Sequence, residues 1–477
     1  MKKWFFALLL LLLLLPFAAN AETWRVSPGG MTIAEALSLC ADGDVVELAG
    51  GVYDETSETF PLTVTRAVTL CAAEGESPVI DVPAMQTGLR VEADGVTVQG
   101  VEIRLRRWGI LAMGDDMTLE ACRFILADPA WRVSSTAMWT AGIYRMTMRD
   151  CAFNGCGICL AGPPLRDNPE GKVAFTRLFE VGDDPEYFTT HTIENCTVNG
   201  KPLFYAASQP FVETPEDAGQ IIVCDCGEVL VRNADVSDGS IGVSLVHNDH
   251  VTLENCRADR CGIFGLYVSF CEGGTMTDCV STETNHGFDV RGCRNMVLEN
   301  CAAIRCEQGL FFSKVYDSAM IRCVADGTGQ GYFMAAGGGN ALVGCSVIGC
   351  ENGVKLQGEG STLVCGCLIE GCTVCGVRLD GTPVTFTGNT LRANWVGVMA
   401  YGGASYEITD NRFEESKSCG LYLRDVAYSR VCGNSFTGTV GTSAQIVGKM
   451  NGSLWLDNGM DIPADFSAVT DGFGIGK

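Results

Sequence analysis

The sequence predicts an all-β fold: a single-stranded right-handed parallel β-helix of about 14 coils of ~22 residues with a short N-terminal capping helix. Three observations predict it. Cys256, Cys279, Cys301, Cys323, Cys345 and Cys367 follow one another at steps of 23, 22, 22, 22 and 22 residues, and Asn389, Asn411 and Asn434 continue the column. A second column is glycine, from Gly242, Gly265, Gly287, Gly309 and Gly331 through Gly353, Gly376, Gly397 and Gly420. After each glycine comes an apolar-x-apolar triplet, as in "GLYV", "GFDV" and "GLFF". A fixed period with strand alternation and no helical spacing leaves few folds. Leucine-rich repeats have a similar length, but their leucine-asparagine consensus is absent.

In a β-helix each repeat is one coil, and equivalent residues stack at about 4.8 Å. Alternation sends the first and third residues of each triplet inward and the middle one outward. The cysteine column then reads as an inward stack of small groups, with asparagine taking over where a side chain hydrogen-bonds along a ladder. The glycine is expected where the chain bends into the strand, a place that favours freedom in φ. A second cysteine set, Cys156, Cys261, Cys306, Cys350 and Cys372, follows the first at five residues. "CGC" at 365–367 and "CTVC" at 372–375 fall out of the same period, so they are not read as zinc ligands.

Taken in order, residues 1–21 read as a secretory signal peptide: Lys2-Lys3, an apolar run through Leu15, Pro16, and the small-residue site Ala19-Asn20-Ala21. Residues 22–95 hold the N-terminal cap and first coils. There Thr32 and Glu35 have capping-box spacing ahead of a short apolar helix, and "GDVVELAGGVYDE" begins the first coil. Residues 96–233 are β-helix with long insertions at 160–190 and 197–225. Residues 234–447 are the regular repeats, and 448–477 are expected to cover the far end. The expected location is extracytoplasmic, secreted or periplasmic, with no stable membrane span after cleavage.

The formal charge is −24. Such acidity argues against nucleic acid and anionic membrane surfaces as partners. Charged residues are only 19% and apolar residues 47%, so the chain has the means to fold a core. Most of the 25 cysteines are expected to be buried thiols, because parallel stacking gives poor disulfide geometry.

"DGDVVELAGGVYDETSETFPLTV" resembles the opening segment of secreted pectate-lyase-like β-helices. "NGKPLFY" (199–205), then "DAG" (217–219) and regular coils, resembles the NosD-like periplasmic family over most of 190–440. That resemblance implies the β-helix fold and an accessory role in copper delivery to an exported reductase.

Two chemistries come into question for these residues. Copper delivery calls for soft or imidazole ligands. His247 and His250 are the weak candidates, and no cofactor is clearly indicated. Saccharide binding rests on the outward row of the triplets: Tyr267, Asp289, Phe311, Phe333, Lys355 and Arg378. Aromatics can stack on sugar rings, and Lys355 with Arg378 can pair with the carboxylates of an acidic polysaccharide, so the expected partner is an extracellular or cell-envelope polysaccharide. Tyr267, Phe311, Phe333, Lys355 and Arg378 are therefore the candidate substrate-binding residues.

Catalysis on a uronate needs a cation, a base and an acid around one sugar. "HGFDVRG" supplies His286, Asp289 and Arg291, with Lys314 one coil on. It resembles the "YGFDPHD" motif of mannuronan epimerases at Gly287, Phe288 and Asp289. If the chain is an enzyme, it is a polysaccharide lyase, an epimerase or a glycoside hydrolase. The alternative is a non-catalytic accessory protein of the NosD type.

Overall fold

The computed structural model describes residues 21–161, 184–358 and 360–476. The predicted signal peptide, bar its last residue, and most of the 160–190 insertion lie outside them. No helix among the described residues is long and apolar enough to cross a membrane.

The chain enters through the strand Thr23–Val26 and the helix Ile33–Leu39. The predicted capping box is formed: Thr32 Oγ1 accepts from Glu35 N at 3.0 Å, and Glu35 Oε2 accepts from Thr32 N at 2.9 Å. The nearly buried Glu58 carboxylate takes two more of the helix's first N–H groups, from Ile33 at 2.7 Å and Ala34 at 3.3 Å. Ile33, Ala36 and Leu37 close the open end of the core.

From there the chain winds as a parallel β-solenoid of about 20 turns, not 14. The difference lies partly at the far end, where the sheet continues to Ile475, and partly in the first run of coils. Its in-register column is Thr23, Val45, Thr69, Thr97, Thr118, Thr147 and Thr192, with steps of 22, 24, 28, 21, 29 and 45 residues. The strands pair in register, but the stretches between them differ in length, so no period survives in the sequence. In the second run the column Val243, Leu266, Phe288, Leu310, Tyr332, Val354 and Val377 advances by 22 or 23 residues throughout.

The two runs meet at "NGKPLFY". Asn199 (φ 54°) and Gly200 (φ 78°) make a two-residue turn, and Lys201–Ala207 pairs antiparallel with Thr197–Val198 before a new parallel sheet begins. Both turn residues have positive φ, the condition of the hairpin turns that Asn-Gly favours. The old sheet stops at Ile158–Ala161. There the Gln220 side chain stands in for a further strand: its Oε1 accepts from Ile158 N at 3.1 Å and its Nε2 donates to Ile158 O at 2.7 Å.

The cysteine-asparagine column is buried throughout. The residue before each member takes the left-handed conformation, as at Asn255 (φ 51°), Asn300 (φ 53°) and Arg322 (φ 51°), so the column marks a corner. Each thiol donates to carbonyls: Cys301 Sγ lies 3.3 Å from Met276 O and Cys345 Sγ 3.2 Å from Met320 O. Asparagine does the same with a stronger donor, Asn389 Nδ2 to Val364 O at 3.0 Å, and adds an acceptor for the coil below. Off the column, burial pushes the Cys156 and Cys261 thiols up to about 12.

The glycine column has a different cause from the one expected. None of these glycines has a left-handed φ. A Cβ on Gly265 would sit 2.7 Å from Gly287 O, and one on Gly376 would sit 2.7 Å from Gly397 O. The column is glycine because each coil's backbone passes directly over the next.

The far end is not a loose cover. Thr442–Leu456 and Asp465–Ile475 continue the sheet in parallel with register shifts, and Trp455 and Phe466, 5.5 Å apart, carry the aromatic stack of Phe413 and Phe436 to the end of the core.

His191 gives the fold a pH dependence. Its Nδ1 accepts from Met146 N at 3.2 Å, so Nε2 carries the proton donated to Tyr187 O at 2.8 Å. Burial holds its pKa below the ordinary value, with the Tyr187 bond opposing. The unfolded chain therefore binds this proton more readily. The contribution is full above about pH 6.5 and is lost as pH falls through and below that value. In thermal unfolding from pH 7.5 to 5, the parent is expected to lose more stability than His191→Gln. Equal losses would assign the pH dependence elsewhere.

Candidate functional site

Strand His286–Arg291 lies in the second run's first sheet, between Phe264–Ser269 and Gln308–Tyr316. Register aligns Tyr267, Asp289, Phe311, Phe333, Lys355, Arg378, Met399 and Tyr422 in one outward row. The row is therefore real as a line, but its two ends differ in exposure.

At the N-terminal end it is buried. Tyr267, expected to present its ring outward, is 2% exposed and packs in the apolar cluster that holds Trp139, Cys159 and Ile222. Its ring stacks on Phe264 with centroids 4.7 Å apart, and burial pushes its phenol pKa up. Beyond Asp289 the row opens. Phe311, Phe333 and Lys355 are half-buried and Arg378 is exposed. Phe311 and Phe333 lie 5.2 Å apart, Lys355 Nζ rests 4.4 Å above the Phe333 ring, and the Arg378 guanidinium lies 5.9 Å from Tyr401.

Three of the four residues proposed for catalysis do meet. His286 Nδ1 is 2.7 Å from Asp289 Oδ2, and Arg291 donates to both carboxylate oxygens, Nε to Oδ1 at 2.5 Å and Nη2 to Oδ2 at 2.8 Å. Arg291 is also flanked by the rings of Phe264 at 5.5 Å and Phe311 at 5.2 Å. Asp289 is 0% exposed. Burial pushes its pKa up, but the charge and hydrogen bonds of Arg291, with the His286 bond, outweigh that and leave it below the usual carboxylate value. A general base must reach the proton that it removes. This carboxylate is ionised but enclosed, with both oxygens engaged. Lys314 does not join the group. It is exposed at a left-handed corner (φ 54°), three residues past Phe311, about 10 Å along an extended strand.

Asp289→Ala would leave the Arg291 guanidinium mostly buried without its carboxylate. The expected cost is about 3–5 kcal/mol in chemical denaturation. A loss under about 1 kcal/mol would mean that the trio does not hold the sheet together at this point.

The sequence reading missed a neighbouring row. Gln308, Gln330 and Asn352 are in register and half-buried, and each directly precedes a column glycine. The dipeptides "QG", "QG" and "NG" were legible as an outward position of the repeat. Phe264 and Tyr401 also contribute rings that no motif marked.

The histidine candidates are placed differently from each other. His247 stacks on Phe270 with centroids 4.9 Å apart and lies 6.1 Å from Phe188, whereas His250 is exposed at the start of a strand. Among the described residues no group of three or more His, Cys, Asp or Glu side chains is arranged to hold a metal ion.

The right-handed β-helix region family matches residues 219–364, and the family described as periplasmic copper-binding protein (NosD) matches residues 309–460. No curated protein matches the chain. Similar solved structures include the A-module of a mannuronan C-5 epimerase of Azotobacter vinelandii, 13% identical, covering 91% of this chain and 90% of its own, with a TM-score of 0.28. A periplasmic alginate epimerase is 11% identical, with 88% and 85% covered and a TM-score of 0.27. A pectate lyase is 12% identical, with 95% and 80% covered and a TM-score of 0.22. The parallel register of the coils, together with the two family matches, identifies the chain as a right-handed parallel β-helix protein.

Proposed function

We propose that the protein is an exported β-helix that binds an extended saccharide along the open part of the outward row, from Phe311 to Tyr422. The observation that carries this reading is the half-exposed pair Phe311 and Phe333, in line with Lys355 on one sheet face. Partly exposed rings in line are a surface on which successive sugars stack, each contributing on the order of 1 kcal/mol. The enclosed Asp289 supports binding over bond cleavage, and the trio then anchors the inner end of the groove. The export expectation rests on the leader-like residues 1–21 and agrees with the periplasmic description of the family matched over 309–460.

That match also supports a second reading, an accessory role connected with copper. One experiment separates the two: depletion of the purified chain by insoluble polysaccharides, beside calorimetric titration with copper. Retention on a polysaccharide without stoichiometric copper binding is the expected result. Stoichiometric copper binding with no retention would favour the second reading.

A further inference from the structure

Both arginines that make the row look suited to uronates are already paired with carboxylates, which leaves Lys355 as its one cation with only a ring contact among the described residues. Arg378 Nε donates to both oxygens of Asp380, at 3.0 and 2.9 Å, so its charge is matched within its own strand. Arg291 is matched by Asp289 in the same way, inside the fold. Lys355 rests on the Phe333 ring. A polyuronate would have to displace these contacts while approaching a chain of formal charge −24. Long-range repulsion of that sign lowers both the encounter rate and the affinity of a polyanion.

The row beside the rings asks for something else. Gln330 Nε2 donates to Tyr332 O and Asn352 O, each at 3.3 Å, which leaves its Oε1 as an acceptor without a partner among the described residues. Its two neighbours in register do not offer the same: Gln308 Oε1 is buried, and Asn352 Oδ1 accepts from Cys375 Sγ at 3.5 Å. The Gln330 oxygen is thus the acceptor that a ligand's donor can reach beside the rings. Hydroxyl groups and N–H groups are donors, whereas a carboxylate only accepts. On the other side of the rings the outward residues are Ser313, Ala335 and Gln357, again uncharged.

Resting on the reading of a saccharide groove, we infer that its ligand is an uncharged, hydroxyl-rich glycan. The sugar faces stack on Phe311 and Phe333, and a hydroxyl donates to the Gln330 amide oxygen beside them. The matched pair Arg378–Asp380 sets the class: it presents no net positive charge to a carboxylate.

The test is affinity electrophoresis of the full chain in gels containing laminarin, galactan or mannan, and in gels containing alginate or polygalacturonate. Phe333→Ala and Asp380→Ala are run alongside. Retardation by a neutral polymer at least tenfold stronger than by either polyuronate, and lost in Phe333→Ala, is the expected result. Asp380→Ala frees Arg378 and is expected to raise polyuronate retardation several-fold. Polyuronate retardation equal to or stronger than neutral, and still lost in Phe333→Ala, overturns the inference but leaves the groove standing. Retardation by no polymer, or retardation that Phe333→Ala leaves unchanged, overturns the groove and the inference together. Circular dichroism of each variant confirms that a lost shift is not lost folding.

Discussion

Gly420→Ala is expected to destabilise the protein by about 3 kcal/mol or more, although the change is a single methyl group. The added Cβ would stand 2.6 Å from Ser443 O and 2.7 Å from the Phe436 ring. One obstacle is backbone held by the sheet, and the other is a ring in the middle of an aromatic stack. Neither can retreat without opening the gap between coils. Gly366→Ala is the matching control. Gly366 has φ +65° and nothing within 4 Å of the place a methyl would take, so the substitution costs only the left-handed penalty of about 1 kcal/mol. Equal losses in the two variants, measured by urea denaturation, would mean that coil spacing does not determine the glycine column.

Asn411→Leu is the second substitution with a large expected effect. The Asn411 side chain accepts from Asn389 N at 2.9 Å and from Asn389 Nδ2 at 3.0 Å. It donates to Phe386 O at 2.9 Å and to Asn434 Oδ1 at 2.9 Å. Leucine fills the same space but orphans the buried partners on both sides, and each orphan costs about 1–3 kcal/mol. A total loss of about 3–5 kcal/mol is expected. Asn411→Cys should recover part of it, because a thiol at this corner reaches the carbonyl of the coil below, as Cys367 Sγ does to Leu342 O at 3.7 Å. If cysteine proves no better than leucine in equilibrium denaturation, the thiols of the column are packing groups only.

The regular half of the fold was legible because each coil repeats the same residue at the same corner. Cys256 through Asn434 could be aligned by counting, and the inward placement followed from alternation. The first half was not legible by counting, since steps of 21 to 45 residues hide equivalent positions such as Thr97, Thr118, Thr147 and Thr192. "NGKPLFY" stands out as a family feature, yet its physical content is a hairpin turn that any Asn-Gly between strands announces. For the candidate site, the row from Tyr267 to Arg378 was readable as a line but not as a surface. Tyr267 is buried in the cluster that also holds Trp139 and Cys159 of the irregular first run, residues that no repeat relates to the row. The pairing of Arg378 with Asp380 was within reach, because residues two apart on a strand share a face. It changes the chemistry expected of the groove.

The measurement that bears most directly on the saccharide groove is isothermal titration of the full chain with the polymer that retards it most. Phe311→Ala/Phe333→Ala is measured alongside, with a thermal melt to show that both proteins are folded. Loss of two stacking rings at on the order of 1 kcal/mol each predicts affinity weaker by at least tenfold, with little change in melting temperature. Unchanged affinity in the folded double variant would contradict the account, and the row would then be the outer surface of a scaffold whose binding lies elsewhere.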